Sequence, residues 1–315
     1  MKTCLNIFIL LSVSFHVYSQ DSIGFLTPAT QFNSKRYADV ICLEALGYGG
    51  SLDLLSMAWY NGYKQTSFHL FNDGEEWLQM DKCGHFLTNW YLGRIGIDMA
   101  QWSGMENKKA IRYGIAAGYI YMTGLEVLDG YSSGWGFSLG DFAANTLGAT
   151  FIAGQKFIQV SGTESHLLNG IGGISLKFSY AQTNFPQYRP VLLGTNLAER
   201  IIKDYNGQSY WLSFNLSSFM SKSAKFPKWL NIALGYGAEG MISGHPGYQY
   251  MDANGNTIEF ERYRQYYFSL DIDLTKIKTR SHLLKTIFET FSFLKIPAPA
   301  LEFNQYGMKF HPAYY

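Results

Sequence analysis

The chain is short of charge, cysteine and long apolar runs, and each shortage excludes something. Charged residues make up 16% of the 315 positions, below the quarter or so usual in soluble domains. The 25 basic residues nearly cancel the 24 acidic ones. No basic stripe is left to follow a phosphate backbone, and no nucleic-acid partner is expected. The cysteines number three, Cys4, Cys42 and Cys83, which cannot supply the tightly spaced ligand set of a structural zinc site. In an oxidising compartment Cys42 and Cys83 could form a disulfide. They fall on different predicted helices with no telling spacing, so two buried free thiols is the simpler reading. No predicted helix has the apolar length of an ordinary transmembrane span. P-loop, G-x-S-x-G, H-E-x-x-H and G-x-G-x-x-G contexts are also missing, and no cofactor is implied.

What is present in quantity is aromatic (17%) and glycine (32 residues). That pairing suits aromatic-bearing strands and closely approaching backbones, and it is common at membrane interfaces. The N-terminus has the form of an export signal. Met1-Lys2 is positive, Ile7 to Phe15 is apolar, and Val17-Tyr18-Ser19 offers a cleavage site before Gln20. Residues 1–20 are therefore set aside as a signal peptide, too short in its apolar part to span a bilayer. Cys4 precedes the apolar run and is not read as a lipid-anchor cysteine. The expected destination is the periplasm or outer membrane of a Gram-negative bacterium.

The mature chain divides by periodicity. Through residues 21–160 apolar positions recur at three- and four-residue steps, predicting a bundle of about four helices. The first runs from a cap at Ser34 to about Tyr63, kinked at Gly47-Tyr48-Gly49-Gly50. The second starts on the acidic Asp73-Gly74-Glu75-Glu76 and continues to Trp102. The third covers about Glu106 to Leu128, and the fourth follows Ser138 to about Ile158. Gly114 with Gly118, and Gly140 with Ala144 and Gly148, put small residues at four-residue spacing where backbones can approach. Through 161–315 the period becomes two, at 174–180, 210–217, 230–237 and 266–274, with a last strand from Leu301 to Phe310. More strand is expected near 188–194 and 245–264, a turn at 252–256, and an amphipathic helix at 281–295. The fold class is α+β, a helical bundle followed by a mainly antiparallel β half. A sheet packing its apolar face on the bundle accounts for this alternation, and so does a membrane-inserted barrel with a helical plug. The latter needs about eight strands to close.

The chemistry-bearing residues concentrate between Asp81 and Gly154. Asp81 and His85 are one helical turn apart, with Lys82 beside them. Glu126 and Asp129 close the third helix, and Ser138, Asp141 and Asn145 share one face of the fourth. Carboxylates, an imidazole and an ammonium on apolar helices could transfer protons, ligate a divalent metal or hold a head group. A structural reading competes at every point. Ser138-x-x-Asp141 is also a capping box, Asp81–Lys82 an ordinary ion pair, and Asp129-Gly130 an ordinary helix end. The isolated His69, His166, His245, His282 and His311 have no ligand spacing, and residues 199–208 read as a surface helix and turn.

The patterns D-K-x-x-H-F, E-x-x-D-G and G-x-S-x-x-D-x-x-A-N-x-x-G-A, over residues 78–157, resemble those of the YfiM-like predicted periplasmic lipoproteins. More distantly they resemble the VanZ-like pattern. The resemblance implies an envelope location. It marks Asp81, Lys82, His85, Glu126, Asp129, Ser138, Asp141, Asn145 and Gly148 as family positions, but carries no reaction, because the family has no settled activity. The lipoproteins' anchor cysteine is not matched here, and the half after Ile174 lies outside the resemblance. Three functions stay open. One is a non-enzymatic envelope protein whose cluster binds a lipid or cell-wall head group, with Lys82, Ser138 and Asn145 as binding residues. Another is a hydrolase or transferase of an envelope lipid or glycan, drawing on His85, Asp81, Glu126, Asp129 and Asp141. The third is the barrel with a plug. A membrane or envelope lipid is the expected partner.

Overall fold

A computed structural model describes residues 24–60, 63–221 and 225–314. The expected signal peptide and Cys4 lie outside these. Helices dominate the first half: α1 (Ser34–Leu55), α2 (Met80–Trp102), α3 (Asn107–Gly130), α4 (Leu139–Ser161) and the short α5 (His166–Gly172). Two-residue strands β1 (Leu70–Phe71) and β2 (Phe137–Ser138) pair in parallel ahead of α2 and α4. The second half holds β3 (Ser175–Tyr180), α6 (Pro190–Leu193), α7 (Leu197–Lys203), β4 (Gln208–Asn215) and β5 (Leu230–Glu239). After them come β6 (Gln249–Met251), β7 (Thr257–Glu259), β8 (Tyr263–Ile272), α8 (His282–Thr290), β9 (Ala298–Asn304) and β10 (Gly307–Tyr314). The class is α+β, as expected. Among the described residues no helix is long and apolar enough to cross a membrane.

The bundle is built on missing side chains. A Cβ on Gly114 would collide with the backbone of Gly96 and Ile97, and one on Gly148 with the Phe86 carbonyl. The anticipated small-residue faces are therefore the contacts of α3 and α4 with α2. Around them pack Leu87, Trp90, Ile97 and Ile152. Elsewhere the helices depart from expectation. α1 passes through Gly47–Gly50 without a break, because nothing packs against that face, and it ends in a π-helical turn at Ser56–Tyr60. Its cap is Asn33, one residue before Ser34, accepting from the Lys35 and Arg36 amides. Both Cys42 and Cys83 are free thiols, and Cys42 is exposed rather than buried.

The approach to α2 differs most. The acidic stretch does not begin the α-helix. Glu76–Gln79 forms a 3-10 turn in which Trp77, Leu78 and Gln79 have φ of 47°, 51° and 63°. Left-handed conformation costs non-glycine residues ~1–2 kcal/mol each, so three in succession need compensation. Trp77 buries its ring with Met80, Leu193 and Met241. The Trp77 amide donates to the Gly244 carbonyl at 3.0 Å, and the Tyr236 hydroxyl donates to the Leu78 carbonyl at 2.5 Å.

The main sheet is antiparallel with strand order β10-β9-β8-β5-β4-β3. The expected final strand is two strands. The alternation changes phase at Asn304-Gln305, where two polar residues follow one another, and the chain turns there, with Gly307 at φ 120°. The 188–194 stretch is helical, 245–264 supplies the separate β6–β7 hairpin, and the 281–295 helix shortens to α8. The sheet curls strongly on itself. Lys177 on β3 reaches the Ile272 carbonyl at the end of β8, and the chain entering β9 bonds to the outer edge of β3 through Phe178 and Lys295. The face turned inward is polar yet buried: Lys177, Ser213, Asn231 and Asp271 are all nearly inaccessible. The opposite, apolar face meets α2 at β3 and β4, where Leu176, Phe178 and Tyr210 join the bundle core. Over β5, β8, β9 and β10 it is exposed at Leu234, Phe268, Leu270, Phe303 and Phe310. The expected packing of sheet on bundle thus holds for only part of the sheet.

Candidate functional site

α2, α3 and α4 each bring a polar group to one place, joined by the segment before α2. Lys82 stands at the centre. Its ammonium lies 2.6 Å from Asp73, 2.8 Å from Asp81 and 2.9 Å from Asp141. Ser138 acts twice: its Oγ accepts the Asp141 amide at 3.0 Å as the α4 cap, and its hydroxyl donates to Asp73 Oδ1 at 2.6 Å. Ser138 thus caps α4 and joins the cluster, while the Asp141 carboxylate turns to Lys82 instead of closing a capping box. Gly140 leaves room for the lysine, since a Cβ there would press on Lys82 Cε.

His85 lies on the other side of Asp141. Its Nδ1 is 3.2 Å from Asn145 Oδ1 and 3.3 Å from Glu126 Oε1, and its Nε2 is 3.9 Å from Asp141 Oδ1. An amide oxygen only accepts, so Nδ1 carries the hydrogen and Nε2 keeps its lone pair on the Asp141 side. Asn145 is anchored from behind, its carbonyl accepting from the Asn89 side chain at 2.5 Å. Glu126 is almost wholly buried, and neither carboxylate oxygen has a hydrogen-bond partner. The Ser138 backbone offsets part of the rise in its pKa without reaching hydrogen-bond geometry. Asp81 Oδ1 and Asp141 Oδ1 are likewise buried without hydrogen bonds, although Lys82 is in ion-pair range of Asp141 Oδ1.

Burial and mutual repulsion set the protonation states. Desolvation, then Asp129, push Glu126 up to about 8. Desolvation and the neighbouring Asp81 push Asp141 up to about 9, against the pull of Lys82. Desolvation also raises Asp81, while Asp73 stays below the usual carboxylate range. Its burial is outweighed by hydrogen bonds from Asp141, Lys82 and Ser138. His85 is driven down to about 4 by desolvation. At neutral pH the cluster therefore holds a neutral imidazole, protonated Glu126 and Asp141, and an ionised Asp73 beside one firmly charged ammonium.

A cavity of about 460 Å³ opens onto this cluster. Asp73, Asp81, His85, Asp129 and Asp141 line one part of it. Apolar side chains including Leu55, Trp59, Leu125, Trp135, Ile201 and Phe293 line most of the rest, with Lys203 and Gln208 among them. Two groups of side chains bring ligand atoms within 4.8 Å of one another and could hold a metal: His85, Glu126 and Asp141, and Asp73, Asp81 and Asp141. In the second, the Lys82 ammonium already lies within 2.9 Å of all three carboxylates. In the first, Glu126 has no such partner.

Residues 69–154 match the model of a family described as predicted periplasmic lipoprotein (DUF2279). The matched stretch takes in the whole cluster, starts ahead of Asp73, and is under half of the chain. It supports an exported, periplasmic or envelope location. No curated protein and no solved structure gives a significant match.

Every residue singled out in the sequence is at this place. Asp81, Lys82, His85, Glu126, Ser138, Asp141 and Asn145 form the contacts above, and Asp129 lines the cavity and raises Glu126 through its charge. Sequence reasoning missed Asp73 and Glu76, which look like helix-start charges, and Tyr205 and Tyr210, which arrive from the β half. Glu76 instead meets His245 at 3.0 Å. One local signal does point to Tyr210: Gly84, inside D-K-x-G-H, leaves the gap into which its hydroxyl comes.

Proposed function

We propose that this is an envelope protein whose cavity binds an amphiphile, its head group at the Asp81–His85–Asp141 end and its chain along the apolar wall. The finer placement, at the outer membrane of a Gram-negative bacterium, belongs to the same reading. So do the YfiM-like and VanZ-like affinities and the division into a helical region, 21–160, and a β region, 161–315. The observation that carries it is the mixed lining of the 460 Å³ cavity, a group of acidic side chains together with a largely apolar wall. Volumes of that order accept small ligands whose polar groups are few and convergent. Surplus carboxyl groups favour a head group bearing an amine or hydroxyls over a bare phosphate, which Asp73 and Asp81 would repel. The test is native mass spectrometry of protein purified from membranes, with lipid extraction in parallel. A stoichiometric lipid is expected in the wild type, and weakened retention in Asp81→Asn and Trp135→Ala. Lipid-free wild-type protein that also fails to take up phosphatidylethanolamine or an aminosugar lipid overturns the reading.

The partnerless Glu126 favours a second reading, a metal-assisted hydrolase or transferase. In it His85, Glu126 and Asp141 hold a divalent cation that polarises a lipid or glycan ester. Manganese(II) or zinc(II) should then raise the melting temperature of the wild type and leave Glu126→Gln unmoved. Identical responses dispose of this version.

A further inference from the structure

Away from the cavity, the chain between Tyr266 and Phe291 carries features that the bound amphiphile does not use. α8 buries none of its residues, yet it is the most amphipathic helix of the chain. Leu283, Leu284, Ile287 and Phe291 form a stripe on it, all exposed. A nine-residue helix whose apolar stripe is largely exposed gains little packing energy from its own fold.

The segment leading into α8 is cationic. Lys276, Lys278 and Arg280 precede it and Lys285 lies on it, with no acidic residue from 274 until Glu289. The chain as a whole is nearly neutral, so this is a local concentration of charge. Trp229 and Lys228 join it: the Asp273 amide donates to the Trp229 carbonyl at 2.8 Å, and the indole is exposed.

The strand running into this segment has its polarity reversed relative to a soluble sheet. On β8 the buried inward side chains are Gln265, Tyr267, Ser269 and Asp271, while Tyr266, Phe268 and Leu270 face outward and are exposed. The outward residues form rows across the sheet. Tyr210, Tyr236, Tyr266 and Phe303 make an aromatic row, and Leu212, Leu234, Phe268, Leu301 and Phe310 the next. A soluble antiparallel sheet alternates the other way. Aromatic rows beside aliphatic ones, over a polar interior, are the pattern of β-surfaces that face lipid.

We infer that α8, with the basic run before it and the apolar outer face of β8–β10, is a docking surface for an anionic lipid bilayer. The apolar stripe of α8 enters the outer part of one leaflet, as interfacial helices do. Lys276, Lys278, Arg280 and Lys285 meet anionic head groups, and Trp229 sits at the boundary. The charge selects the bilayer over a second copy of this chain, whose matching surface would carry the same cations and repel it.

The experiment is vesicle flotation of the full exported chain. Phosphatidylglycerol mixed with phosphatidylethanolamine is compared with phosphatidylcholine, for the wild type, Ile287→Asp and the pair Lys278→Gln with Arg280→Gln. These side chains are exposed, so the variants should fold, which circular dichroism checks. Binding to the anionic vesicles is expected, about thirtyfold weaker in the double variant at roughly fivefold per lost cation. It should fall with added salt and be largely lost in Ile287→Asp. Equal flotation of all three proteins overturns the inference, as does preference for phosphatidylcholine. So does a wild-type dimer that ignores vesicles and dissociates on Ile287→Asp.

Discussion

Two buried polar clusters, one in the bundle and one inside the curled sheet, solve the same electrostatic problem in opposite ways. In the sheet, Asp271 Oδ2 is 2.6 Å from Lys177 and accepts from the Ser213 hydroxyl at 2.6 Å, and Lys295 stands 3.9 Å from its other oxygen. The spare ammonium hydrogens go to backbone carbonyls: Lys177 to Ile272, Lys295 to Leu270 and Ile296. Two cations thus serve one carboxylate, and the surplus is absorbed by the chain itself. In the bundle Asp73, Asp81, Glu126 and Asp141 share one ammonium, and four oxygens find no hydrogen bond. The sheet network leaves one acceptor without a hydrogen bond, Asp271 Oδ1, and that one faces Lys295. A network with acceptors left over beside an open cavity has capacity for something else.

The sharpest way to break this comparison is to remove the central cation from each cluster. Lys177→Met strands Asp271 in a dry interior and should cost about 3–5 kcal/mol in denaturant unfolding. Lys82→Met should cost less, about 1–3 kcal/mol, because its carboxyl groups border the cavity and can take up protons. Equal losses would mean that the bundle cluster is as structural as the other. A smaller effect is expected from Glu126→Gln, which should stay within about 1 kcal/mol of the wild type, since the native acid is already held protonated by burial.

The same substitution sharpens the comparison through pH. Glu126 and Asp141 have folded-state pKa values raised to about 8 and about 9, so between about pH 4 and those values the folded state binds more protons than the unfolded chain. Their contribution to stability therefore falls as pH rises through that window. His85, lowered to about 4, works the other way, adding stability between about pH 4 and its unfolded value near 6.5. Above pH 7 the His85 contribution no longer changes, and stability measured in chelator should decline toward pH 9, less steeply in Glu126→Gln, with Lys295, lowered to about 8 by burial, working against the fall. The smallest expected effect is in the sheet. Glu302 is raised by burial, but hydrogen bonds from His311, Asn304 and Gln265 outweigh this and leave it lowered. Its contribution should therefore be lost only in acid, and Glu302→Gln should shallow the acid limb of the stability curve alone.

The bundle was the more legible half. Its helices show as three- and four-residue periodicity, its tight contacts as glycines four apart, and its cluster as polar residues on otherwise apolar faces. Asp73 escaped because its partners Lys82 and Ser138 lie on other elements. A charge near a helix start reads the same whether it caps a helix or joins a site. In the sheet, period two located the strands but not the side that would be inward. Lys177 and Asp271 look solvent-facing until the curl brings β3 to the end of β8, a contact between residues 94 apart in the chain. Trp77, Leu78 and Gln79 carry no sign of left-handed backbone, because only tertiary tethers hold them there.

Those tethers make the three residues a wound spring between the two halves. The Tyr236 hydroxyl and the Arg264 guanidinium, both on the sheet, grip Leu78 and Gln79, and the strained peptides run directly into Asp81. Released from the sheet, they would relax toward right-handed helix and add most of a turn to the start of α2. That winding would draw Asp73 and Glu76 away from Lys82. The ammonium's coordination is thus tied mechanically to the seating of the sheet, and a disturbance on β5 or β8 can reach the cavity without touching it.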